Sequence, residues 1–182
     1  GFITGAAPTA ASTFFSSTGV PGTLHNFGIT DATYSNGVVE GPDGKLYGTA
    51  RNGGTNNNGL VFSIEADGSN YAVIYNIAAS QSIQYSTPVF GPDGKIYINI
   101  SNSLYRIEPD GTAAVVMAAL PAGGSQIVID DDGWIFARGF EISNSILYKI
   151  KTDGTGYQLL HTFNSLVDGS FDDLSAVCIT PT

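Results

Sequence analysis

The stretch that most constrains the fold is residues 37–50, GVVEGPDGKLYGTA. Two short apolar runs flank an Asp-Gly pair, which supplies the positive-φ positions that tight hairpin turns need. The stretch therefore predicts a β-hairpin. Weaker copies surround Asp93-Gly94 and Asp132-Gly133, which places the first-turn aspartates 50 and 39 residues apart along the chain. The hairpin is thus predicted to be one part of a repeated unit.

A second series of Asp-Gly turns alternates with the first. These turns lie at Asp67-Gly68, Asp110-Gly111 and Asp153-Gly154. Before each turn comes a strand-like run with an aromatic or apolar pair, and after it comes a second apolar run. Each repeat is therefore predicted to contain four strands, a to d, joined by hairpins. A four-stranded antiparallel unit that recurs every 40 to 50 residues or so is typical of a β-propeller blade. The predicted fold is all-β, a β-propeller of four four-stranded antiparallel blades.

The fourth blade is predicted to be split between two parts of the chain. Residues 176–182 align with residues 37–43 and supply strand a, whereas residues 1–7 align with residues 44–50 and supply strand b. Strands c and d then fall at residues 12–18 and 24–27. A single propeller domain over residues 1–182 follows, with blades at about 34–78, 85–120 and 124–164, and a fourth made of 1–28 and about 174–182.

The split blade leads to the favoured functional hypothesis. Its strand a must pair with strands b to d, because unpaired strand edges invite association. Pairing within one chain closes a ring, and pairing between chains gives an eight-bladed dimer or a filament. The favoured function is a non-catalytic extracellular structural protein whose partner is itself. The residues expected at the junction are Gly1, Phe2, Ile3, Thr4, Val177, Cys178, Ile179 and Thr180.

Composition narrows the function classes. Charged residues make up 13% of the chain, about half the share usual in soluble proteins, a profile that fits a β-rich secreted or surface protein. The net charge of −9 disfavours nucleic acid, because no cluster of Lys or Arg is present to replace phosphate counterions. No apolar stretch has the length of a membrane span. The single cysteine excludes an internal disulfide framework.

The first repeat also carries a family resemblance. The decapeptide GPDGKLYGTA at 41–50 is followed by Gly53-Gly54, by GLVFSI at 59–64 and by Asp67-Gly68. This order resembles the tandem repeats of the choice-of-anchor GloVer-containing proteins, in which DG-x-LYG-T leads to GG, to G-x-VF and to a second DG. The match is close in the first blade and partial in the second and third. The resemblance implies a bacterial, exported, surface-associated propeller-like array, and it transfers no catalytic residues.

Two groups of side chains suggest alternative roles. Aromatic residues at a rim stack on sugar rings, so a recognition or adhesion module that binds glycan or another surface ligand is the alternative function. Wedging between neighbouring blades competes as the explanation for these aromatics, which are Tyr34, Tyr85, Trp134 and Phe171.

The densest carboxylates are weak Ca²⁺ candidates, because they lack the spacing of a known calcium loop, and they are Asp130, Asp131, Asp168, Asp172 and Asp173. No cofactor is predicted.

The sequence does not favour an enzyme. His25 and His161 fall at equivalent places in strand d of their blades, so repeat equivalence explains them better than a metal or acid-base role. No Ser or Cys has the context of a nucleophile elbow. An enzyme that used the central channel would depend on Glu40, Asp130 and Glu141, whose equivalents differ from blade to blade.

Overall fold

The computed structural model describes residues 11–15, 21–27, 32–83, 86–121, 126–141 and 144–163. These ranges contain fourteen β-strands and no helix, so no helix in them is long and apolar enough to cross a membrane. The chain divides into two compact units, Gly1–Ser82 and Ile83–Thr182.

In the first unit the strands are β1 (Ala11–Phe15), β2 (Pro21–Asn26), β3 (Ala32–Glu40), β4 (Leu46–Gly53), β5 (Leu60–Ile64) and β6 (Ala72–Asn76). In the second unit they are β7 (Val89–Phe90), β8 (Ile96–Ile100), β9 (Ser103–Ile107), β10 (Ala114–Ala119), β11 (Ile127–Ile129), β12 (Trp134–Glu141), β13 (Asn144–Lys151) and β14 (Gln158–Phe163).

Three antiparallel sheets contain four strands each, in chain order: β3–β6 is sheet 1, β7–β10 is sheet 2 and β11–β14 is sheet 3. The predicted repeat of four hairpin-connected strands is thereby confirmed. Strands β1 and β2 form a separate antiparallel pair, here called the β1–β2 hairpin, whose register runs from Ala11 opposite Asn26 to Phe15 opposite Pro21.

The Asp-Gly pairs lie in the turns, as their chemistry predicts. In the turns between strands a and b, Gly44 and Gly94 have φ values of 81° and 72°, which a side chain would strain. In the turns between strands c and d, each aspartate accepts hydrogen bonds at its Oδ1 from the backbone and hydroxyl of the residue two positions later. These bonds hold the pKa values of three carboxyls below their ordinary range: Asp67, Asp110 and Asp153. These three acidic side chains therefore stabilise the turns in which they lie.

The β1–β2 hairpin is anchored on sheet 1 through its second strand. Phe27, directly after β2, is 2% exposed and belongs to the core cluster formed by sheet 1 residues that include Leu60 and Phe62. Its ring centroid lies 5.2 Å from that of Phe62. His25 stacks on Tyr71 with ring centroids 4.6 Å apart. The hairpin is therefore packed against a face of sheet 1.

Sheets 2 and 3 of the second unit share one core. Tyr97 and Leu104 of sheet 2 cluster with buried residues of sheet 3, among them Ile135, Ile146 and Tyr148. The Tyr97 hydroxyl donates a 2.9 Å hydrogen bond to Asp93 Oδ2. Burial, followed by the bond to Asp93 and the charge of that carboxylate, raises the pKa of Tyr97 to about 12.

The Asn-rich stretch 52–58 covers the end of β4 and the connection between β4 and β5. Gly53, Gly54 and Gly59 all have positive φ, and they fold the loop back onto the end of β6. Side-chain amides then tie the loop to the residues that follow that strand, through Thr55 N to Asn76 Oδ1 (2.8 Å), Asn56 Nδ2 to Ile77 O (2.9 Å) and Asn58 Nδ2 to Ala79 O (2.7 Å).

Candidate functional site: the open face of sheet 3 and the β1–β2 hairpin

Sheet 3 is buried on one side, whereas the other two sheets have strands buried on both. Every residue of β5 in sheet 1 and of β8 in sheet 2 is buried. In β13 of sheet 3, burial alternates: Ile146, Tyr148 and Ile150 are buried, and the residues between them are half-buried. Because successive strand residues point to opposite faces, one whole face of sheet 3 is incompletely covered.

The incompletely covered face, here called the open face, mixes apolar and cationic side chains. Cross-strand pairs place its residues together, and they are Trp134 opposite Lys151, Phe136 opposite Lys149 and Arg138 opposite Leu147. All but Lys151, which is exposed, are half-buried.

Repeat equivalence shows what normally covers such a face. Phe136 follows its Asp-Gly turn at the same distance as Tyr47 in sheet 1 and Tyr97 in sheet 2, and both tyrosines are 1% exposed. In the second unit, Tyr97 is buried by residues of sheet 3. The open face of sheet 3 is therefore the counterpart of a face that, in sheet 2, the following sheet covers.

The β1–β2 hairpin is the second element of interest. Among the described residues it has two strands, whereas each of the other sheets has four. An isolated two-stranded sheet is at best marginally stable in water. Here β2 has the support of sheet 1 through Phe27, and β1 pairs with β2 along one edge.

The predicted junction residues lie outside the residues that the structure describes: Gly1, Phe2, Ile3, Thr4, Val177, Cys178, Ile179 and Thr180. Of the aromatic rim candidates, Trp134 opens β12 on the open face, and Tyr34 lies in β3 with 66% of its surface exposed and a φ of 58°. Tyr85 and Phe171 are also outside the described residues. The aromatic rim therefore stays a prediction.

The calcium candidates that the structure describes do not converge. Asp130 Oδ1 accepts hydrogen bonds from the backbone N–H groups of Asp132 (3.1 Å) and Trp134 (2.7 Å), and Asp131 is exposed. Asp168, Asp172 and Asp173 lie outside the described residues. Within the described ranges, no group of three or more His, Cys, Asp or Glu side chains could hold a metal ion. The Asp130 carboxylate thus stabilises the turn in which it lies.

The enzyme candidates are likewise spread over the strands. Glu40 is exposed at the end of β3, and Glu141 ends β12. His161 lies in β14, the fourth strand of sheet 3, and His25 lies in β2 of the β1–β2 hairpin.

Comparison with known proteins identifies the fold. No family model matches the chain, and no curated protein matches it. Among solved structures, the chain is similar to one from a nidogen–laminin complex (TM-score 0.61, 16% identity, 79% of this chain and 53% of that chain). It is similar to oligogalacturonate lyase in complex with manganese (0.61, 16%, 80% and 40%), and to TolB from Acinetobacter baumannii (0.60, 17%, 80% and 36%).

The chain thus spans between 36% and 53% of the length of these three solved chains. At such identities the likeness concerns the fold alone. The three four-stranded antiparallel sheets and the structures that they resemble show that this chain has a β-propeller fold.

Proposed function

We propose that this chain is a non-catalytic, extracellular structural protein, a four-bladed propeller that closes or self-associates by completing its fourth blade. The β1–β2 hairpin supplies strands c and d, residues 1–4 lie in strand b, and residues 177–180 lie in strand a. When both segments come from one chain, the ring closes. When they come from two chains, the product is a dimer or a surface filament. The resemblance to exported GloVer repeats supports the extracellular location.

One observation carries the proposal: the β1–β2 hairpin is packed against a neighbouring sheet, as a propeller blade is. Phe27 is buried against sheet 1, as residues of sheet 2 are buried against sheet 3. Strands a and b of this blade have candidate sequences, since residues 1–7 match 44–50 and residues 176–182 match 37–43. Adding a strand to an exposed sheet edge is a common mode of protein association.

The open face of sheet 3 supports the same proposal. It presents Phe136 and Leu147 half-buried, and packing a further sheet on them would bury apolar surface. A completed fourth blade, from the same chain or from another copy, is a sheet of the required kind.

Engineered disulfides test the proposed strand pairing at single-residue register. Val39 pairs with Tyr47 in sheet 1, and the alignment makes Cys178 and Thr4 their counterparts. Since Cα atoms of directly opposed residues lie about 4.5 to 5.5 Å apart, they are within disulfide range. A Thr4→Cys variant is therefore expected to form a disulfide with Cys178 under mild oxidation. A non-reducing gel and peptide mass mapping would identify the product as a monomeric loop or a covalent dimer.

The matched control is Ile3→Cys. A shift of one residue points a strand side chain to the opposite face, so this variant should leave Cys178 unlinked. A monomeric loop would establish closure within the chain, and a covalent dimer would establish assembly between chains. Equal cross-linking of the two variants, or none of either, would refute the pairing.

A further inference from the structure

The start of sheet 3 breaks a pattern that sheets 1 and 2 share. In those sheets, the lysine after the first Asp-Gly turn forms an ion pair with a glutamate at the end of strand c: Lys45 with Glu65 at 3.8 Å, and Lys95 with Glu108. In sheet 3, the same two positions are occupied by Trp134 and Lys151, which are cross-strand partners. An indole therefore stands in place of the lysine there, and a lysine stands in place of the glutamate.

A second lysine lies beside the same ring. The Lys149 Nζ lies 4.2 Å from the centroid of a Trp134 ring, and the Lys151 Nζ lies 5.3 Å from it. The chain has seven Lys and Arg residues and one Trp, so two of its few cations converge on its single indole. Among the described residues, neither ammonium has a carboxylate within ion-pair distance.

Two nearby carboxylates are engaged by their own turns. Asp130 accepts the N–H groups of Asp132 and Trp134. Asp153 accepts the N–H and hydroxyl of Thr155 at 2.8 and 2.7 Å. The charge of Lys151 is a minor contribution, behind these bonds, to the lowered pKa of Asp153. Among the residues that the structure describes, the two ammonium groups thus have no carboxylate partner, and they can bind an external anion.

In sheet 2, the equivalent corner remains partly exposed to solvent although a neighbouring sheet packs on the same face. Lys95 and Glu108 are 31% and 32% exposed, although Tyr97 on that face is buried by sheet 3. Completion of the fourth blade would therefore leave the corresponding corner of sheet 3 in contact with solvent.

We propose that Trp134, Lys149 and Lys151 form a binding site for an acidic saccharide. The carboxylate of a hexuronic acid would accept charge-assisted hydrogen bonds from the two ammonium groups. The C–H face of its ring would pack on the exposed part of the indole. A neutral sugar lacks the first interaction, and a small inorganic anion lacks the second. The proposal does not depend on how the fourth blade is completed.

Trp134 provides the assay, because it is the chain's one tryptophan. Titration with a hexuronic acid oligomer is expected to give a saturable change in tryptophan emission. A neutral hexose oligomer and inorganic sulfate should give none over the same concentrations. Lys149→Gln and Lys151→Gln should each weaken the apparent affinity by about tenfold, because each removes one charge-assisted bond.

Two sets of variants serve as controls. Lys45→Gln and Lys95→Gln remove the same charge from the equivalent turns and should leave the affinity unchanged. The double variant Trp134→Lys/Lys151→Glu introduces into sheet 3 the lysine–glutamate pair found in sheets 1 and 2. It should melt like the parent protein and release no binding heat in calorimetry.

Four results would overturn the proposal. Equal affinity for the neutral oligomer would mean that ring stacking alone accounts for binding. An equal response to sulfate would mean that the site binds any small anion. Equal weakening by Lys45→Gln would indicate attraction to overall charge. Absence of both an emission change and binding heat in the parent protein would exclude the site.

Discussion

Replacing Phe27 by alanine is expected to destabilise the protein by about 3 to 5 kcal/mol, the usual cost of removing a buried phenylalanine ring. Phe27 is 2% exposed, and its ring lies 5.2 Å from Phe62 and 5.7 Å from Tyr71, centroid to centroid. These contacts hold the β1–β2 hairpin on sheet 1. Urea denaturation followed by circular dichroism would measure the loss.

Val73→Ala is the matched control for Phe27→Ala, because it also shortens an apolar side chain of the first unit. Val73 lies in β6 and is 40% exposed, so its replacement should change the free energy of unfolding by no more than about 0.5 kcal/mol. Comparable losses for the two variants would mean that Phe27 does not anchor the hairpin.

Gly154→Ala is expected to be the most damaging glycine substitution in the turns of the second unit. Gly154 has a φ of 84°, and a Cβ there would collide with the backbone carbonyl oxygen of Met117 in sheet 2. The left-handed backbone costs a non-glycine residue about 1 to 2 kcal/mol. Overpacking adds about 1 to 3 kcal/mol. The sum, about 2 to 5 kcal/mol, should lower the denaturation midpoint substantially.

Gly94→Ala separates the two contributions. Its φ is 72°, and no atom lies within 4 Å of the added Cβ, so this variant should lose the backbone part alone, about 1 to 2 kcal/mol. If Gly94→Ala were as destabilising as Gly154→Ala, a steric clash between the sheet 3 turn and β10 would not explain the effect of Gly154→Ala.

The sequence predicts the strand pattern well because turn chemistry is local. Asp-Gly pairs set the positive-φ positions, as at Gly44 and Gly94, and alternating turns divide the chain into four-strand units. The Asn-rich loop is less predictable. Its composition indicates a hairpin tip, but its bonds reach residues more than twenty positions away, such as Asn76 and Ile77.

The candidate sites depend on contacts that a one-dimensional pattern hides. Trp134 is recognisable as an aromatic at a turn, but its lysines come from β13 and meet it through strand register. Aligning the repeats position by position would have revealed the signal, since Lys45 and Lys95 give way to Trp134 while Glu65 and Glu108 give way to Lys151. The open face of sheet 3 has no such signature, because its exposure depends on what packs beside it.

We propose that residues 1–4 and 177–180 are strands of a completed fourth blade. Hydrogen–deuterium exchange of the 182-residue chain, read by mass spectrometry, tests it without any substitution, because paired strand amides are protected and unpaired ones are not. We expect slow exchange in both segments and in β1, comparable to that of β3 and β4. Exchange of both segments at the rate of an unstructured chain would refute the proposed strand pairing.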